Sequence, residues 1–196
     1  MRKTRYADSM PSDADYAAYV AYQSQQQRQP RTKPHRLPVG KYALSDCTYF
    51  FTINAQNRRS KPFYNAALAR GVVVALLTTA ERHNWKLYSY CLMPDHLHFV
   101  AALPEGAVRE IDAGFRGIVP ESILDHIAAF KRYTTTQLWW TLGGRGRLWQ
   151  RSSYDRVIWY DDSPMAAIRY VLNNPVRAGL VADWRSYPYA GTVVNL

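Results

Sequence analysis

Two strand-like runs, KLYSYCLM and HLHFVAAL, are separated only by Pro94 and Asp95. A two-residue link between extended, apolar runs is a turn signal, so the pair is expected to fold as an antiparallel hairpin or tight corner. In a strand, residues two apart project to the same face. His96 and His98 therefore stand side by side, while Leu97 and Phe99 enter the opposite core. Any fold for this chain must bury one face of the hairpin and find a use for two adjacent imidazoles on the other.

The flanking pattern narrows the architecture. CTYFFTINAQ is β-branched and aromatic and is closed by the turn residues NRRSKP. FYNAALARGVVVALLTTAERHNW carries apolar residues nearly all round and reads as a well-buried helix ending near His83 and Asn84, with Gly71 a tolerated blemish. After the hairpin, PESILDHIAAFKRYTTTQLWW opens with a helix-initiation signal at Pro120 to Ser122 and continues at helical spacing. GGRGR is expected to be a flexible basic loop, and LWQRSSYDRVIWY has strand character. SPMAAIRYVLNNPVRAGL reads as a last helix, with Ser163 as N-cap, Pro164 at its first position and Pro175 as its stop. The order strand, helix, strand, strand, helix, strand, helix fits an α+β, ferredoxin-like (RRM-like) sandwich: a central antiparallel sheet with helices packed on it, plus a C-terminal helix.

Residues 1–38 differ from the rest, being rich in Gln, Arg and Pro and poor in large aliphatics, and are expected to form a basic, loosely attached arm before one folded domain over 39–196. The arm holds seven Lys/Arg against three acidic residues, and the whole chain carries a net charge of +10, so both parts are basic. Such an excess favours a polyanion, nucleic acid or an acidic membrane surface. The chain has neither an apolar run long enough for a membrane span nor a signal-peptide core, so a cytoplasmic, soluble protein is expected. Cys47 and Cys91, both in strand-like runs, read as buried thiols.

Two imidazoles at i and i+2 suit joint ligation of a divalent ion, with further ligands supplied elsewhere; a solvated polar strand face is the plain alternative. On the last helix Tyr170 and Asn174 are four apart and share a face. An amide oxygen can ligate a hard cation and a tyrosine hydroxyl can attack phosphorus, although a helical tyrosine also serves as a packed aromatic. Asp95 is expected to point away from the histidines on strand alternation and to be structural. His35, His83 and His126 have no paired spacing and are assigned nothing.

PDHLHFV resembles the His-hydrophobic-His motif of the single-tyrosine HUH-type transposases. RYVLNNPVRAGL resembles the tyrosine helix of their REP-associated branch, and YFFTINAQNRR and LWQRSSYDRVI match that branch in the correct order. The resemblance spans about Arg36 to Tyr189. It implies that His96 and His98 ligate a divalent metal, Mg²⁺ or Mn²⁺, that Asn174 completes the protein ligands and that Tyr170 is the nucleophile. Insertion-sequence members usually have Gln where Asn174 stands, which points to the REP-associated branch. The implied activity is metal-dependent nicking and rejoining of single-stranded DNA at hairpin-forming repeats through a 5′-phosphotyrosine link, by a monomer or a homodimer. Arg58, Arg59, Lys61, Lys131, Arg132, Arg145, Arg147 and Arg151 are candidates for DNA contact, and Tyr49, Trp149 and Tyr154 for base stacking, with core packing the alternative for each aromatic. Competing readings are a non-catalytic module of the same fold that binds structured DNA or RNA, and a metallohydrolase, which lacks a carboxylate ligand at suitable spacing.

Overall fold

The structure is a computed structural model that describes residues 48–103, 108–110, 118–120, 122–158 and 164–193. The basic arm with His35, Cys47 and the Ser163 N-cap lie outside the described residues. In chain order the elements are β1 (Thr48–Asn54), α1 (Ala66–Arg82), β2 (Lys86–Met93), β3 (His96–Ala102), β4 (Val108–Glu110), β5 (Ile118–Pro120), α2 (Ile123–Tyr133), a π-helical stretch (Thr134–Trp139), β6 (Tyr154–Ile158), α3 (Pro164–Leu172), α4 (Asn174–Arg177) and β7 (Ala190–Thr192). The main sheet runs β6-β1-β3-β2-β7, with every neighbouring pair antiparallel. Its first four strands stand in the order expected of the split β-α-β sandwich. The β4–β5 ladder, α4 and β7 were not expected, because three or four residues carry too little periodicity to be read.

Strand alternation divides the core into two layers. Tyr49, Phe51, Ile53, Leu97 and Phe99 face one way and pack under α1 and α2, with the Phe51 and Phe99 rings stacked at 5.1 Å. Phe50, Cys91, Met93, Val100 and Ile158 face the other way and meet Ala167, Ile168, Val171 and Leu172 of α3. The imidazole face of the hairpin is thus the face that α3 covers. Asn65 caps α1 by accepting from the Leu68 amide at 3.0 Å, and Ser122 caps α2 by accepting from the Leu124 amide at 3.3 Å.

Three expectations need correction. The first helix is not buried all round, since Val74 and Leu77 are 60% and 42% exposed. Gly71 is no blemish: a β-carbon there would stand 3.0 Å from Leu138 Cδ1, so the missing side chain is what lets the π-helical stretch approach α1. The second helix is not α-helical to its end. Thr134, Thr135 and Thr136 donate their hydroxyls to carbonyls four residues back, at 2.8, 2.7 and 3.1 Å, and so compete for the carbonyls of the helical ladder. The backbone widens there, and the Trp140 amide bonds the Thr135 carbonyl five residues back. No single described helix is long and apolar enough to cross a membrane.

Candidate active site

The β1–β3 register sets Thr52 opposite His98 and Asn54 opposite His96. His98 is 6% exposed; its Nδ1 lies 2.7 Å from Thr52 Oγ1, and the Phe51 backbone accepts a hydrogen bond from the ring. Burial, reinforced by the His96 imidazole, holds His98 well below the usual histidine range, so its ring is neutral, the form that binds metals. His96 Nδ1 lies 2.5 Å from Asp95 Oδ1, and Arg58 Nε donates to Asp95 Oδ2 at 2.7 Å. Burial pushes the Asp95 carboxyl up, but hydrogen bonding and charge from His96, then Arg58, outweigh it and bring the pKa to about 2. The expectation that Asp95 points away from the histidines is therefore overturned, since it belongs to the turn, where strand alternation does not apply; its expected structural role stands, as it braces the first histidine.

These partners decide which nitrogens are free. An ionised carboxylate only accepts, so His96 Nδ1 carries the hydrogen, and on the His98 ring Nδ1 is the nitrogen engaged by Thr52 Oγ1. The remaining atoms, His96 Nε2 and His98 Nε2, converge at 3.0 Å. Two lone pairs that close repel unless a proton or a cation satisfies them. Two metal bonds of about 2.1 Å at the right angle of an octahedral ion span about 3.0 Å, so the pair fits adjacent positions on such a cation. A carboxylate or carbonyl behind each ligating imidazole is the usual support of a metal site. Among the described residues no group of three or more His, Cys, Asp or Glu side chains converges.

Tyr170 lies on the same side of the sheet. Its ring centroid is 6.0 Å from that of His98 and 6.0 Å from that of Phe50, and the Arg177 guanidinium stands 4.8 Å above it. The ring is 3% exposed, so it is beside the histidines but packed rather than open. Asn174 does not continue the tyrosine helix as expected. The helix ends at Leu172, Asn174 opens α4 with Pro175 in its first turn, and Asn174 Nδ2 donates to the carbonyls of Tyr170 at 2.8 Å and Val171 at 3.4 Å. That bond caps α3 and leaves Oδ1 as the atom able to ligate.

The basic candidates separate into kinds. Arg58 is paired with Asp95, whereas Arg59 and Lys61 are exposed on the turn that follows β1, Lys61 in the left-handed region at φ 44°. Lys131 Nζ donates to the carbonyls of Gln150, Arg151 and Ser152 at 3.3 to 3.4 Å, so it fastens a loop. Arg132, Arg145, Arg147 and Arg151 are exposed. Tyr49 and Trp149 are buried, Trp149 against Phe63 with its indole on Thr134 Oγ1, which removes both as base stackers; Tyr154 remains 39% exposed. His83 and His126 stack at 3.7 Å, and the Trp85 indole donates to His126 Nδ1. Thr52 and Arg177 are the site neighbours that sequence reading passed over, and Asp95 is the one it aimed away from the histidines. Thr52 is findable from the strand register alone; Arg177, seven residues after Tyr170 across a helix break, carries no such signal.

No family model matches the chain. It is 25% identical over 148 residues to a Haemophilus influenzae protein whose name assigns it provisionally to the REP-associated tyrosine transposases, covering 72% of this chain and 77% of that one. It is 21% identical over 150 residues to the REP-associated tyrosine transposase of Escherichia coli K12, covering 76% and 79%. Among solved structures it is similar to a REP-associated tyrosine transposase bound to a REP hairpin, with a TM-score of 0.58, 19% identity and coverage of 81% and 82%. The resemblance read from the sequence is borne out by the first two, and the α+β sandwich by the third.

Proposed function

From its relationship to the REP-associated tyrosine transposases, we propose that this chain is a metal-dependent DNA strand transferase that nicks and rejoins single-stranded DNA beside hairpin-forming repeats. The observation that carries this reading is the placement of Tyr170 against the convergent pair His96 and His98 on one sheet face. His96 and His98, with Asn174 Oδ1 and substrate oxygens, would hold Mg²⁺ or Mn²⁺, which when bound supplies positive charge to the scissile phosphate. Asp95, Thr52 and the Phe51 carbonyl keep both ligating nitrogens aimed. The Tyr170 hydroxyl oxygen forms a bond to phosphorus, the bond from phosphorus to the 3′ oxygen breaks, the phenol gives up its proton and the released 3′ oxygen takes one up. The strand is left with a 5′-phosphotyrosine and a 3′-hydroxyl, and reversal with another 3′ end rejoins it. Arg177 sets a guanidinium over the ring that receives the phosphate. Because that ring is 3% exposed, DNA entry must accompany its uncovering.

The test is incubation of labelled single-stranded hairpin DNA with the protein and Mn²⁺, read on a denaturing gel. A covalent adduct is expected that requires the metal and disappears in Tyr170→Phe. Adduct persisting in that variant overturns the assignment of the nucleophile. Tight hairpin binding without adduct under any divalent ion favours the non-catalytic module, and cleavage without adduct favours the hydrolase.

A further inference from the structure

We propose that Trp140 is a pre-set platform on which an unpaired base of the DNA strand flanking the hairpin stacks; the inference rests on the DNA-processing reading above. The expected flexible loop GGRGR is in fact fastened by two adjacent indoles. Trp139 Nε1 donates to the Arg145 carbonyl at 3.1 Å and Trp140 Nε1 to the Gly146 carbonyl at 2.8 Å. The two rings then divide the work. Trp139 is covered by the loop itself: a β-carbon on Gly144 would stand only 2.1 Å from its ring, so glycine is required for that approach. Trp140 is left 52% exposed, the one described tryptophan in that condition, and Tyr133, at the start of the widened helix, is exposed to the same degree.

An indole whose N–H is already bonded and whose face is open has lost its rotational freedom in advance, so it can bind a flat apolar partner at low entropic cost. The charge around it selects the partner. From His126 to Tyr154 the sequence holds five Lys/Arg and no Asp or Glu, half of the chain's net charge of +10. Arg145 and Arg147, on either side of Gly146, are both exposed. An exposed aromatic ring on a stretch that carries only positive charge matches bases on a phosphate backbone; a protein partner would be met better by a rim of both signs. The loop is also joined to the proposed active site. The Gln56 amide bonds the Leu148 carbonyl, the Gln150 amide bonds the Asn54 carbonyl, and the Ala55 amide bonds the carbonyl of Asp95, next to His96. These bonds tie Leu148 to Gln150, just after the loop, to the end of β1 beside the turn that carries Asp95.

The experiment is an abasic walk. Fluorescein-labelled hairpins with a single-stranded tail, each lacking one tail base, are titrated with the full chain in EDTA and read by anisotropy. In the wild type, removal of one base, or of one of two adjacent bases, is expected to weaken binding about 5- to 100-fold. Trp140→Leu should bind the intact tail as weakly as the wild type binds that abasic one, and its own walk should be flat. Trp140→Phe, which keeps an aromatic face but loses the N–H that holds it on Gly146, should fall between the wild type and Trp140→Leu and keep a walk that dips at the same base. A flat walk in the wild type, or an abasic loss that persists unchanged in Trp140→Leu, overturns the platform. Absence of any binding to tailed and untailed hairpins by the wild type overturns the DNA-processing reading, and the platform with it.

Discussion

Thr52→Val isolates the support of one proposed metal ligand, His98, from that ligand itself. Valine keeps the shape and the strand preference of threonine but loses the hydroxyl 2.7 Å from His98 Nδ1. The ring stays buried, and the Phe51 carbonyl still accepts from it, so the loss of fold stability without metal falls at the low end for a buried polar contact, about 1 kcal/mol. For a chain of this size that is a fall in Tm of about 2–4 °C. Metal affinity should suffer more. With Nδ1 less firmly held, His98 can take the other tautomer and turn a hydrogen toward His96 Nε2, and outer-shell losses of this kind weaken binding about 10- to 100-fold, or about 1.4–2.8 kcal/mol. Mn²⁺ titration followed by electron paramagnetic resonance measures the affinity and a thermal melt measures the fold. Thr52→Ser, which restores the hydroxyl, should recover most of the affinity. If Thr52→Val binds Mn²⁺ as the wild type does, or if the serine variant falls as far as the valine, the bracing argument is wrong.

Lys131→Met should destabilise the chain by about 1–3 kcal/mol, because three carbonyls lose their donor; the salt dependence of DNA binding should be unchanged, since Lys131 fastens a loop and does not meet phosphate. Gly144→Ala, with its β-carbon driven into the Trp139 ring, should release the glycine loop, seen as new cleavage there in limited proteolysis. Asp95 has a carboxyl held at about 2, below its unfolded value, so its contribution to stability is present above about pH 4 and lost as pH falls toward 2. Urea midpoints between those limits should accordingly change less with pH in Asp95→Asn than in the wild type. The Cys91 thiol, whose pKa burial pushes up, should ignore a thiol reagent in the native state and react at the rate of global unfolding, as stopped-flow absorbance would show.

What the sequence disclosed follows from which forces are periodic. The hairpin, the two-residue spacing of the imidazoles and the apolar faces of α1 to α3 repeat at the pitch of their element, and the four-stranded order was legible from them. Features that depend on one residue meeting another far along the chain were not. Asp95 misled because the strand rule was carried one residue into the turn, and Asn174 because the helix was run as far as the residue before Pro175, whereas it ends at Leu172 and Asn174 opens a new turn. Lys131 gave no hint that backbone carbonyls, which leave no mark in sequence, would surround it. Three consecutive threonines were a visible warning of a loosened helix, since their hydroxyls compete for its carbonyls.

The pairing of β2 with β3 has a consequence for how this chain can fail. A slip of one residue in that hairpin would turn Leu97 and Phe99 toward α3 and drive both imidazoles into the aromatic layer under α1. Such a molecule would forfeit its interior and its chemistry in the same motion. Misassembled chains should therefore be silent and short-lived, and a preparation that holds its fold should contain no population with a scrambled histidine pair.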